Sequence, residues 1–287
     1  MCHMAKLLII GFSLTVNAQT SNHIVSKAWQ AYEDGEYSTG AELYSRAIEQ
    51  GVNDAGTLYN AACCYALSGK TTQTFTYLNS AVKAGFHDLK LLKTDADLIS
   101  LHKDNRWTVL LQKVETAEDN YIKSINQELY EMFLQDQADR SQDSVDWDMV
   151  AKRDDVHRMR VWEMIKSDSL KAADDYFHAA MILQHGLDST DYKMAHKLAK
   201  KAVALDSTSK LAKWLTAAAW DRYLWSIGKP QWYGTQFQPS KNGKWTVDPI
   251  DTSAVTDKQR EALNVPTIFK TCKRLKQMNR EFTSEKE

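Results

Sequence analysis

The chain has 287 residues, 43% of them hydrophobic and 25% charged, with a formal net charge of −1 and a mean hydropathy of −0.50. That length and apolar share suffice for one large domain or two ordinary ones around a real core. The charge excludes a protein that grips nucleic acid through a basic face, and 11 Gly with 4 Pro exclude a disordered or collagen-like chain.

At the amino terminus Lys6 precedes the apolar run Leu7 to Val16, and Asn17-Ala18-Gln19 follows. A basic residue, about ten apolar residues and small side chains at Val16 and Ala18 describe a secretory signal peptide over 1–18. The expectation is export, to the periplasm or outside the cell, with a mature chain beginning at Gln19. The competing reading is an amino-terminal core helix. The run falls short of the roughly 20 residues of a membrane span, so no span is expected. Cys63, Cys64 and Cys272 remain after cleavage. An odd number in which two are adjacent does not suggest a disulfide framework, and no Cys/His spacing suggests a metal. No cofactor is expected.

The four prolines stand at Pro230, Pro239, Pro249 and Pro266, so residues 1–229 contain none. Proline costs about 3 kcal/mol inside a helix, and its absence over such a stretch predicts stacked helices. Within that stretch the segment from Gly35 to Ile48 has a second copy 34 positions on. Gly69 falls under Gly35, Leu78 under Tyr44, Ala81 under Ala47 and Val82 under Ile48. Leu58 to Leu67 supplies the first helix of that second copy, with Ala62 and Ala81 small enough for close helix approach. A third copy decays over Asp97 to Leu101 and Arg106 to Leu111.

The period and its small and large positions resemble the tetratricopeptide repeat, a helix–turn–helix unit of 34 residues. Ile24 stands where the repeat usually has Trp, and Gly40 where it has a packing Ala. The resemblance implies an α-solenoid of helix pairs over 19–116, and a groove for a protein or peptide partner on the first helix of each pair. Tyr59, Asn60 and Cys63 would line that groove. The competing reading packs them against the next repeat.

Residues 117–168 read as two helices, the first carrying Tyr121, Ile125, Leu129 and Phe133 on one stripe. A repeat-like pair follows over 172–206, then a helix from about Leu211 to Ile227 that stops at Gly228-Lys229-Pro230. Alternation around Asn242-Gly243 predicts a small β-hairpin at about 231–247, with Gln231, Tyr233, Thr235 and Phe237 on one face. Thr256 to Gln259 reads as a capping box, and a basic helix from Pro266 closes the chain. The fold class is mainly α, with helix pairs continuing into a helical domain over 117–287 that bears one hairpin.

Several separated motifs recur in order across roughly 117–266. They are Asp136-Gln137 with Asp139-Arg140, His178-Ala179-Ala180-Met181, Gln184-His185-Gly186, Asp221-Arg222, and Gly228-Lys229-Pro230-Gln231 through Tyr233-Gly234-Thr235-Gln236. This set resembles a bacterial domain family of unestablished function that sometimes follows tetratricopeptide repeats. The resemblance implies a relative and no reaction.

Two chemical readings of this half compete with a purely structural one. His178 and His185 are seven apart, about 10 Å along a helix, too far to share a zinc. Asp174 and His178 are i,i+4, a spacing that lets a carboxylate orient an imidazole as general base. Arg222 would then stabilise an oxyanion, with Asp221 beside it and Gln231 and Tyr233 closing the pocket. His185 and Gln236 complete the candidate ligand-binding set. The sequence thus favours a partner-binding, exported helical-repeat protein. The alternative is a hydrolase-like or small-ligand site built on His178, Arg222, Gln231 and Tyr233. Neither reading fixes the oligomeric state.

Overall fold

A computed structural model describes residues 23–142, 144–240 and 243–284. The signal-peptide segment lies outside the described residues. The chain divides into two compact units at Ile122/Lys123. The architecture is mainly α with one two-stranded antiparallel sheet near the carboxyl terminus. No helix among the described residues is long and apolar enough to cross a membrane.

The first unit consists of consecutive packed helix pairs. Helices α1 (23–33) and α2 (Tyr37–Glu49) form one pair, and α3 (Ala55–Leu67) and α4 (Thr71–Lys83) the next. The 34-residue period of the sequence is also a period of the backbone. Gly35 and Gly69 both take positive φ, at 76° and 71°, which only glycine adopts without strain. At each, the next residue's N–H reaches back to close the helix end, from Glu36 to the Ala31 carbonyl and from Lys70 to the Tyr65 carbonyl. Val52 to Ala47 and Phe86 to Ala81 repeat the same bond at the turns between pairs.

Gly40 is explained by its neighbours. A Cβ there would lie 3.0 Å from the Cys64 Sγ and 3.3 Å from the Ala28 carbonyl, so the volume of the missing methyl group is taken by the cysteine. Ala28, Ala41, Tyr44, Ala61 and Cys64 form the small-residue core between the first pairs. In the third pair the first helix is broken into α5 (Leu89–Thr94) and a 3-10 turn (Ala96–Leu101), followed by α6 (Asn105–Ser124). Asp95 causes the break: it leaves helical geometry, and its side chain accepts the Asp97 N–H that opens the new turn.

The second unit holds α7 (Gln127–Arg140), α8 (Trp147–Lys166), α9 (Ala173–Gln184), α10 (Ser189–Leu205) and α11 (Lys210–Ser226). Helix α10 packs against both α9 and α11, while α7 packs on α8 and α9. The expected continuous stripe from Tyr121 to Phe133 is cut at Asn126. Its side chain caps α7 by accepting the Leu129 N–H, and its own N–H donates to buried Asp175 at 2.7 Å. The 117–168 stretch is therefore the end of one helix and two more, rather than two.

Strands β1 (Phe237–Pro239) and β2 (Trp245–Val247) pair antiparallel, Phe237 opposite Val247 and Pro239 opposite Trp245. The hairpin begins six residues later than the alternation suggests, because Gln231 makes a lone parallel bridge to Ile250 and Trp232 to Thr235 wrap around Asp221. Two further helices, α12 (Asp257–Ala262) and α13 (Ile268–Ser284), close the chain. Asn279 on α13 covers the open edge of β2 with two bonds to the Trp245 backbone, at 2.8 and 2.9 Å. A lone hairpin is marginal in water, and this docking supplies what it lacks. Thr256 and Gln259 form the expected capping box.

Candidate functional site

The groove positions of the first unit are occupied by the chain itself. Tyr59 and Cys63 are buried, the tyrosine stacked on Phe86 with ring centres 4.6 Å apart. The Tyr59 hydroxyl donates to Asp95 Oδ2 at 2.7 Å, and the Cys63 thiol approaches the same oxygen at 3.7 Å. Tyr32 donates to Asp97 Oδ2 at 2.8 Å. Asn60 is half-buried. The Cys63 Sγ and the Asp95 and Asp97 carboxylates lie within 4.8 Å of one another, close enough to hold a cation. Two tyrosine hydroxyls already satisfy these carboxylates, however, and burial and the carboxylates push the Cys63 thiol far above its usual range. The cluster serves as a hydrogen-bonded seam between helix α3 and the broken third pair.

In the second unit, His178 and Asp174 do not form the oriented pair their spacing suggests. His178 is 3% exposed, stacked on Phe133 at 4.4 Å, and its Nδ1 has no hydrogen-bond partner. Burial pushes it down to about 4, so it is neutral at physiological pH. It is a core aromatic. The buried acid of this helix start is Asp175, which accepts backbone N–H groups from Asn126, Lys171 and Ala172.

Asp221 is fully buried and faces backbone rather than a pocket. Its carboxylate gathers the N–H groups of Trp232, Tyr233 and Thr235 at 2.8, 3.0 and 3.0 Å, and the Thr235 hydroxyl at 2.8 Å. Burial raises its carboxyl above the usual range and those donors pull against the rise. Gln231, also fully buried, exchanges two bonds with the backbone of Gln236. These two residues fix the 231–236 loop; they do not line a pocket with His178. Buried Arg260 locks the same loop by donating to the Trp232 carbonyl at 2.7 Å. Nothing in the sequence motifs marked it.

Four of the separated motifs do converge, around His185. Its Nδ1 lies 3.0 and 3.1 Å from the two oxygens of Asp136, a residue 49 positions earlier on α7. A carboxylate can only accept here, so Nδ1 carries a proton, and in the neutral ring Nε2 then presents a lone pair. Asp136 is buried and further held by Gln137 at 2.7 Å and Arg140 at 2.9 Å. Arg140 bridges on to Asp154 at 2.6 Å. Arg222 donates through Nη1 to the carbonyl of Gln184 at 2.7 Å and through Nε to the side chain of Gln236 at 3.0 Å. Its guanidinium stands 6.0 Å from the Tyr192 ring centre. Burial lowers the Arg222 pKa, with the charge of nearby Arg140 acting in the same direction. Gln184 Oε1 and His157 Nδ1 are buried without partners on this side of the unit.

Gly186 completes the motif for a steric reason. A Cβ there would fall 2.5 Å from the Cβ of Asp191. Asp191 needs that space because it accepts the Leu187 N–H at 3.1 Å and the Trp162 indole at 2.8 Å. The arrangement thus offers an oriented imidazole with a lone pair and two guanidinium groups: a base beside positive charge. Tyr233 lies elsewhere, in the wall of an aromatic cavity of about 490 Å³.

No family model matches the chain. Among curated proteins, a chloroplastic protein from Arabidopsis thaliana is similar over 127 residues at 25% identity, a match covering 37% of this chain and 38% of that protein. The chain therefore spans well under half of that relative's length. The similarity establishes neither a family nor an activity for this protein.

Proposed function

We propose that the second unit is an acid–base site for an anionic small molecule, with His185 as general base. Asp136 fixes its tautomer and Arg222 supplies charge for a carboxylate, phosphate or developing oxyanion. The observation that carries this reading is the pairing of Asp136 with His185 across 49 residues of sequence, with both oxygens on one ring nitrogen. Such a dyad can take a proton from water and so serve hydrolysis without a side-chain nucleophile. Arg222 has five N–H donors and uses two of its nitrogens on Gln184 and Gln236, which hold its planar group in place.

The test is turnover of a panel of chromogenic carboxylate and phosphate esters by the chain 19–287. Wild type is expected to hydrolyse at least one class, and His185→Gln to lose roughly 10²- to 10⁴-fold while its fold is unchanged by circular dichroism. Equal turnover by the variant, or none by wild type across the panel, overturns the reading.

The first unit is proposed to be a tetratricopeptide-type scaffold, on the recurrence of turns and helix ends every 34 residues, and to hold a protein or peptide partner. The patch favoured for that role is not the buried Tyr59 and Cys63. It is Trp29, 48% exposed and stacked on Tyr32, whose hydroxyl reaches Asp97 two residues from the 61% exposed Ile99. Export follows from the amino-terminal segment alone and belongs to the same proposal. A cross-linking pull-down from envelope extract, comparing wild type with Trp29→Ala, tests it: a partner retained equally by both removes the patch from the account.

A further inference from the structure

The aromatic cavity of the second unit is separate from the His185 dyad and has its own chemistry. Trp220 on α11 and Trp232 and Tyr233 on the pinned loop form its walls, with Val203 and Leu263 closing the apolar lining. Trp220 and Trp232 meet edge to face with ring centres 5.2 Å apart. The volume, about 490 Å³, suits a two- or three-ring molecule. The loop wall is stiff, because Asp221 holds the N–H groups of both Trp232 and Tyr233. A stiff, preformed wall spares a ligand the cost of ordering it.

The polar lining is one-sided. Lys200 is an exposed ammonium at the rim, and no carboxylate is among the lining residues. His196, one helical turn before it, has Nδ1 2.8 Å from the Thr216 carbonyl. Burial, reinforced by the Lys200 charge, lowers its pKa, so it adds no second cation. Trp220 also keeps its indole Nε1–H buried without an acceptor. Aromatic faces favour a planar apolar body. A lone cation at the rim favours an anionic end.

We propose that this cavity binds a planar aromatic anion, its rings between Trp220, Trp232 and Tyr233 and its negative group at Lys200. The test uses two dyes that share a ring system, 8-anilinonaphthalene-1-sulfonate and its uncharged counterpart N-phenyl-1-naphthylamine, titrated into the chain 19–287. The sulfonate is expected to bind saturably at one site and to shift the indole N–H signals of Trp220 and Trp232 in ¹⁵N-tryptophan-labelled protein. Lys200→Glu, a change on an exposed side chain, should weaken the sulfonate by about tenfold and leave the neutral dye within about twofold. An unchanged sulfonate affinity in Lys200→Glu overturns the anion preference. Perturbation confined to other tryptophans, or no saturable binding, overturns the site.

Discussion

The two units solve the problem of helix packing in opposite ways. In the first, the buried polar side chains among the described residues are Thr57 and Thr74, and the core is made largely of Ala, Leu, Cys and aromatic residues. The second buries Asp136, Asp139, Asp175, Asp191, Asp221, His178, Gln231 and Arg260 in addition to its apolar cluster. A buried carboxylate costs several kcal/mol unless its lone pairs are met, and each of these five aspartates is met by donors. Repetition lets the first unit reuse one simple contact. The second unit fixes irregular loops and one imidazole with charge.

That contrast is broken most severely at Asp221. Asp221→Ala leaves three loop N–H groups without their acceptor and is expected to cost about 4 kcal/mol by urea denaturation, and Asp221→Asn roughly half of that. A loss under about 1 kcal/mol for the alanine variant would mean that water replaces the carboxylate freely. In the first unit the largest comparable change is apolar. Leu78→Ala, at a 1% exposed position, should cost about 3 kcal/mol through the cavity it leaves.

His178 sharpens the contrast through pH. Its folded pKa, pushed down to about 4, lies below the roughly 6.5 of an unfolded imidazole. The unfolded chain therefore takes up the proton first. Stability from this residue is complete above about pH 6.5 and is lost as pH falls toward about 4, by about 3 kcal/mol in total. His178→Leu should flatten that part of the pH–stability curve, and an unaltered curve would show that the imidazole is protonated inside the fold.

The smallest effect is at Gly40. Replacing it with Ala gains about 1 kcal/mol of helix propensity but presses a methyl group on Cys64. The gain should emerge only in a Cys64→Ala background, and additive single and double variants would deny the contact.

Much of the first unit was legible because repetition is written in sequence. Gly35 and Gly69, Tyr44 and Leu78, Ala47 and Ala81 stand in register, and the helices follow. The broken helix at Asp95 was not legible, since one capping side chain overrides a weak apolar pattern. In the second unit the helix end at Gly228 and the Thr256 box could be read, as could the presence of a hairpin. The start of the hairpin could not, because the alternation of Gln231, Tyr233, Thr235 and Phe237 carries no trace of Asp221, ten residues before it. Among the chemical candidates, Arg222 and Gln236 bond each other, and Arg222 also holds the carbonyl of Gln184, the residue before His185. Local spacing points to Asp174 for His178, whereas the carboxylate that orients an imidazole is Asp136, brought to His185 only by folding. Asp and His one turn apart in a helix are a common accident, and pairing at a distance of 49 residues leaves no periodic signal.

Everything proposed for His185 rests on its tautomer, and long-range ¹H–¹⁵N correlation on its imidazole at neutral pH reads that directly. The expected result is a protonated Nδ1 and an unprotonated Nε2, converted to the ordinary mixture in Asp136→Ala. A His185 ring protonated at Nε2, with its lone pair on Nδ1 facing Asp136, would contradict the dyad and remove the general base from the second unit.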